Sequence, residues 1–97
     1  MKLVRDNIPE IILRSKRKAI YHTARPQEHK NLLREKLLEE VGEFLEQESI
    51  EEIADILEVL ECIAKSYQYD WMEILKAKEL KKQKNGGFDK MLVLTQK

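Results

Sequence analysis

Two acidic pairs in the middle of the chain have the spacing of a shared cation site. Glu40 and Glu43 form one, Glu52 and Asp55 the other, each spaced i, i+3. On an α-helix that spacing stacks both carboxylates on one face, a turn apart, so each pair aims at a single spot. Four carboxylates gathered at one point repel one another strongly unless positive charge sits among them. A hard divalent cation with a preference for oxygen answers that need, and Mg²⁺ is the expected ion.

Glu-rich helices are more often solvated faces laced with lysine, so the position of each acid matters. At 100° per residue, Leu33, Leu37, Leu38, Val41, Phe44 and Leu45 share an apolar arc on the first of the two helices. Glu40 falls at the edge of that arc, with Glu43 and Glu39 progressively further round. The second helix has a wider arc: Ile50, Ile53, Ala54, Ile56, Leu57, Val59, Leu60, Ile63, Ala64 and Tyr67. Glu52 projects into it between Val59 and Ile63, and Asp55 lies at its border beside Cys62. A carboxylate facing a core is costly unless it is paired or metal-bound, which favours a ligand role.

The elements that must carry these acids follow from the pattern. A helix is expected from about Pro26 or Gln27 to Gln47 and another from Ile50 to Tyr67, antiparallel across the short Glu48–Glu51 segment, with Ser49 as cap and Glu52 closing a capping box. An earlier helix is capped by Asp6, accepts Pro9 in its first turn and continues to about Lys18. Asp70 caps a last one, from Trp71 to about Lys84, which Asn85-Gly86-Gly87 stops. Two weaker signals, near 19–25 and 88–95, suggest strands whose simplest use is to pair as a two-stranded ribbon. The expected fold is therefore an all-α bundle of about four helices in a single domain, 1–97, with that short ribbon beside it.

Basic residues offer a complement to the acids. Lys2 and Arg5 stand just before a helix start, where phosphate groups are often received. Lys78 and Lys82 share a sector with Trp71, Ile74 and Leu75. Lysines commonly bury their stems and snorkel, but beside an acidic site they would neutralise phosphate oxygens, as would Lys81 and Lys84. Tyr67, Trp71 and Phe88 are read first as core and second as faces for a nucleobase.

Composition bounds the rest. Ninety-seven residues bury only a modest core, and the second acidic helix is apolar around more than half its circumference, so a homodimer or homotetramer is expected. Lys plus Arg equals Asp plus Glu at 18 each, which points away from nucleic acid and from an anionic membrane as partners. No apolar run reaches transmembrane length, and Lys2, Arg5, Asp6 and Glu10 interrupt any signal-peptide pattern. Cys62, the one cysteine, is read as a small buried hydrophobe, since the sequence places neither His22 nor His29 to activate it. A cytoplasmic location follows as the default.

Together these residues resemble a known family. Glu39-Glu40-Val-Gly-Glu43 followed by Glu52-Ile-Ala-Asp55 is similar to the EExxE and ExxD signature of the all-α, MazG-like nucleoside triphosphate pyrophosphohydrolases. The opening Lys2-Leu-Val-Arg-Asp-Asn-Ile-Pro9 and the closing Asn85-Gly-Gly-Phe88 resemble the phosphoribosyl-ATP pyrophosphohydrolase-like branch of that superfamily. The resemblance implies an oligomeric helical bundle that uses Mg²⁺, or Mn²⁺ as a substitute, to cleave a nucleotide between its α and β phosphates. It implies Glu40, Glu43, Glu52 and Asp55 as metal ligands, with Glu39 completing the motif. Two departures stand out: the eight residues between the acidic motifs make a short gap, and Asn85 occupies a position that is commonly basic in this branch.

The chemistry fits the residues as well. A metal-bound water has a lowered pKa, and Glu39 or Glu40 is within reach as its base. Lysine and arginine would stabilise charge on the leaving pyrophosphate. Two alternatives compete: phosphoribosyl-ATP hydrolysis, and a non-catalytic helical interaction module whose acids merely bind a cation or a basic partner. A di-iron bundle is disfavoured, because neither histidine follows a glutamate by three residues.

Overall fold

The computed structural model describes residues 1–96. Among them are four helices, α1 (Ile8–Arg14), α2 (Pro26–Gln47), α3 (Ile50–Ser66) and α4 (Trp71–Asn85), and no strand. The all-α expectation holds in this sense. The segments 19–25 and 88–95 form no ribbon within the described chain; Ile20 and Met91 to Leu94 instead stand largely exposed. Without a facing strand their backbone groups have no ladder to join.

The α2–α3 hairpin is the frame. Pro26 occupies the first turn of α2, where its missing N–H costs nothing, and Glu48 ends the helix in the left-handed region at φ 50°. Ser49 then caps α3 by accepting from the Glu52 N–H at 3.3 Å. The reciprocal half of the capping box is not made, because the Glu52 carboxylate turns toward the other acids. The chain returns antiparallel: Glu40 meets Glu52 and Asp55 near the turn, and His29 meets Cys62 toward the far end.

The remaining helices are less anchored. α1 begins at Ile8 with Asn7, not Asp6, at its N-cap and no side-chain cap bond. It stops at Arg14 rather than near Lys18, since the Ser15 hydroxyl donates back to the Ile12 carbonyl and Lys16 turns left-handed at φ 61°. α1 packs on no other helix. α4, capped by the Asp70 carboxylate accepting from Met72 N–H at 3.0 Å, meets only α3 and has no buried residue.

A small core follows from this layout. Leu33, Val59 and Ala64 are the buried hydrophobic residues among those described. The radius of gyration is 17.7 Å, against about 13 Å for a compact chain of 100 residues. Apolar side chains on the hairpin remain uncovered, with Leu38 at 75 % and Leu45 at 71 % exposure on α2, and Ile50, Ile53, Leu57 and Leu60 exposed on α3.

Candidate metal centre

Glu40 is the hub of the acidic residues. It is 6 % exposed, the one buried charged residue among those described. One oxygen from each of Glu39, Glu40 and Glu43 lies within 4.8 Å of the others, and the same holds for Glu40, Glu52 and Asp55. The hairpin thus brings both i, i+3 pairs together, with Glu40 common to the two groups. Glu40 Oε2 and Glu52 Oε2 are buried and have no hydrogen-bond partner.

Such atoms are expensive to leave unpaired. Burial, followed by the charges of Glu43 and Asp55, pushes the Glu40 carboxyl above its ordinary value of 4.5. Glu52 is raised in the same direction, by desolvation and then by Glu43. Glu39 is lowered, chiefly by the hydrogen bond from Lys2. The donors are carboxylate oxygens alone, the type that hard divalent cations take. A divalent ion among them would satisfy the orphaned oxygens of Glu40 and Glu52 and remove the mutual repulsion, so the residues present fit such an ion.

Three cations border the acids. Lys2 Nζ lies 2.8 Å from Glu39 Oε1, and an Arg5 Nη lies 2.7 Å from Asp55 Oδ1. Both residues belong to the segment ahead of α1, which lies along the hairpin instead of projecting from it. The third is Lys36, which sequence reasoning passed over. Its ammonium is 3.3 Å from Glu39 and 3.6 Å from Glu40, and its side chain is half-buried. The signal was present, since Lys36 precedes these acids by three and four residues on one helix face.

The α4 lysines take no such place. Lys78, Lys81, Lys82 and Lys84 line none of the cavities at the acids and make no ion pair with them among the described residues. Among the helices α4 meets only α3. Phe88 is 97 % exposed. Tyr67 instead stacks obliquely on Tyr69 and receives the Lys30 ammonium over its ring at 5.0 Å.

A cavity of about 220 Å³ adjoins the centre. Leu3, Val4, Leu33 and Val59 line it together with Glu40 and Asp55, the cations Arg5 and Lys36, and His29 and Cys62. His29 Nε2 is 3.9 Å from Cys62 Sγ, a proximity hidden in the sequence because antiparallel packing creates it across 33 positions. Burial pushes the Cys62 thiol up, away from the reactive thiolate. His22 pairs instead with Glu28 at 3.0 Å.

No family model matches the chain, and no curated protein or solved structure matches it either. No helix among the described residues is long and apolar enough to cross a membrane.

Proposed function

We propose that the protein is a Mg²⁺-dependent nucleoside triphosphate pyrophosphohydrolase of the MazG-like kind, releasing pyrophosphate and a nucleoside monophosphate. The observation that carries this reading is Glu40, buried at the junction of two acidic triplets with an oxygen that has no hydrogen-bond partner among the described residues. Glu40, Glu43, Glu52 and Asp55 would hold the ion. When bound, Mg²⁺ withdraws charge from the phosphorus it faces and acidifies a water.

The chain's own groups supply the rest. Glu39, held ionised by Lys2 and Lys36, is the better general base of the two motif glutamates, since Glu40 is committed to the buried centre. Lys2 and Arg5 lie on the solvent side of the same acids, where phosphate oxygens arrive, and can exchange a carboxylate for a phosphate partner. Lys78, Lys81, Lys82 and Lys84 serve the phosphates only if a neighbouring subunit brings them.

Self-association belongs to the proposal. The described chain exposes 9287 Å², whereas a compact monomer of 11.5 kDa exposes about 5,800 Å². That excess, roughly 3,500 Å² on each chain, is more than one subunit's share of an obligate interface, which buries about 2,000–5,000 Å² in total over both partners. A homodimer or homotetramer formed through the bare leucine and isoleucine face of the hairpin would cover part of it. The cytoplasm, where nucleotides and Mg²⁺ are available, is the proposed location.

Incubation of the purified protein with Mg²⁺, a nucleoside triphosphate panel and phosphoribosyl-ATP, followed by a pyrophosphate assay, tests the reading. Turnover of triphosphates that Glu40→Gln or Asp55→Asn abolishes supports it. Turnover of phosphoribosyl-ATP alone moves the assignment to that substrate, and no turnover on any leaves a helical interaction module.

A further inference from the structure

Two stretches with strand chemistry have no strand to join within the chain. Residues 19–24 and 92–96 make no hydrogen bond to another backbone group among the described residues, and neither do residues 1–4. The first stretch holds Ile20, Tyr21 and Thr23, which favour a pleated surface, and in the second Met91 is followed by Leu92, Val93, Leu94 and Thr95. Free backbone groups beside such side chains are a template for pairing with another chain. The tail touches little of its own chain, since Met91 to Leu94 each stay 75 % exposed or more.

A receiving place exists. A cavity of about 470 Å³ is lined by residues 1–6 and 20–24, with Leu3, Val4, Ile20 and Leu32 among its apolar groups. Strand addition needs this combination, because main-chain bonds supply affinity while apolar pockets select the side chains. Surface area identifies the occupant. Each chain exposes roughly 3,500 Å² more than a compact monomer of its mass, so a contact through the hairpin face alone leaves part of the excess bare. Met91 to Leu94 form a run of four exposed apolar residues outside that face. Building on the self-association proposed above, and independently of hydrolysis, we propose that residues 91–95 of one copy pair with residues 20–24 of a second as a two-stranded ribbon, with the tail's apolar side chains entering this cavity. Lys2 and Arg5 line the same cavity while they pair with Glu39 and Asp55, so each copy then contributes to the surroundings of the other's acids.

His22→Cys and Val93→Cys, at the centres of the two stretches and made separately in a Cys62→Ser background, test the pairing. Central positions meet whether the strands run parallel or antiparallel. After an affinity-tagged copy of one variant is refolded together with an untagged copy of the other, a bis-maleimide is expected to link tagged to untagged chain. An oligomer in which no such link forms, or a link found only within a single chain carrying both cysteines, overturns the ribbon. Val93→Pro removes a backbone donor that the tail's own chain does not use, and is expected to raise the dissociation constant for self-association about tenfold in sedimentation. Val93→Ile keeps both the donor and the branched shape, and is expected to change it far less. Equal weakening by the two variants assigns the contact to side chains alone and also overturns the ribbon. A wild type that sediments as a monomer overturns the ribbon and self-association together. Pyrophosphate release is read in none of these measurements, so failure of the hydrolase reading shows separately.

Discussion

Arg5 reaches across fifty positions of sequence to place its guanidinium 2.7 Å from the Asp55 carboxylate. Both side chains keep substantial exposure, 59 % and 34 %, so the pair contributes at most about 1 kcal/mol to stability. Its consequence is electrostatic: with Lys2 on Glu39, it sets positive charge on acids that would otherwise face a cation or its phosphates. Arg5→Met and Lys2→Met should therefore act oppositely on metal and substrate. Mn²⁺ affinity by calorimetry should rise severalfold, because a competing cation is gone, while KM for the nucleotide rises. A variant that loses Mn²⁺ affinity would show that these side chains brace the acids instead.

Glu40 gives a pH prediction with a definite sign. Its folded pKa is raised, so in a window above 4.5 the native state holds a proton that the unfolded chain has lost. Stability of the metal-free protein should accordingly increase as pH falls from 7 toward 4.5, with Glu52 acting in the same direction. Glu39, with a lowered pKa, opposes this only below about that value, where its pairing with Lys2 is lost. Glu40→Gln should flatten the trend, stabilise the metal-free protein at pH 7, and abolish the rise in Tm that Mg²⁺ produces. At one hundred times Kd that rise corresponds to about 2.7 kcal/mol. A wild-type Tm independent of pH from 7 to 5 without metal would contradict the argument.

The sequence made the hairpin legible because local rules decide it. Pro26, Ser49 and Asp70 mark helix starts with their own chemistry, and apolar periodicity placed Glu40 and Glu52 toward the interior. The juxtapositions were partly legible: i, i+3 spacing paired the acids, but His29 beside Cys62, and Leu3 and Val4 as a cavity wall, depend on packing between distant segments. Lys36 did not stand out because its i, i+3 and i, i+4 spacing to Glu39 and Glu40 is equally that of an ordinary solvated helix pair. The strand signals at 19–25 and 88–95 failed for a different reason. β-Branched and aromatic residues favour a pleated, half-buried surface, and no second strand is present in the described chain to provide one.

The uncovered hairpin face yields a prediction about assembly. Leu45 and Ile53 are 71 % and 55 % exposed, on helices whose other faces already hold the acids and the small core. Leu45→Lys combined with Ile53→Lys should shift the protein toward monomer in light scattering at micromolar concentration and lower its Tm. In a monomeric wild type, by contrast, exchange of exposed apolar groups for lysine would leave Tm nearly constant.

Gly42 sharpens that test. It lies within α2 between Leu38 and Leu45 on one face, exposed, and a Cβ built there meets nothing within 4 Å in the single chain. A glycine inside an exposed helix costs about 0.5–1 kcal/mol relative to alanine, because its backbone loses more freedom on folding. The isolated subunit gains nothing from accepting that cost. Close approach of a second backbone between the two leucines would account for it, since only a residue without a side chain leaves that room. Gly42→Ala should thus weaken self-association in sedimentation or light scattering. In the Leu45→Lys, Ile53→Lys background, where the face is already solvated, the same change should add about 0.5–1 kcal/mol to unfolding free energy. If alanine stabilises the otherwise wild-type protein and leaves its association unchanged, the subunit contact does not run through this face.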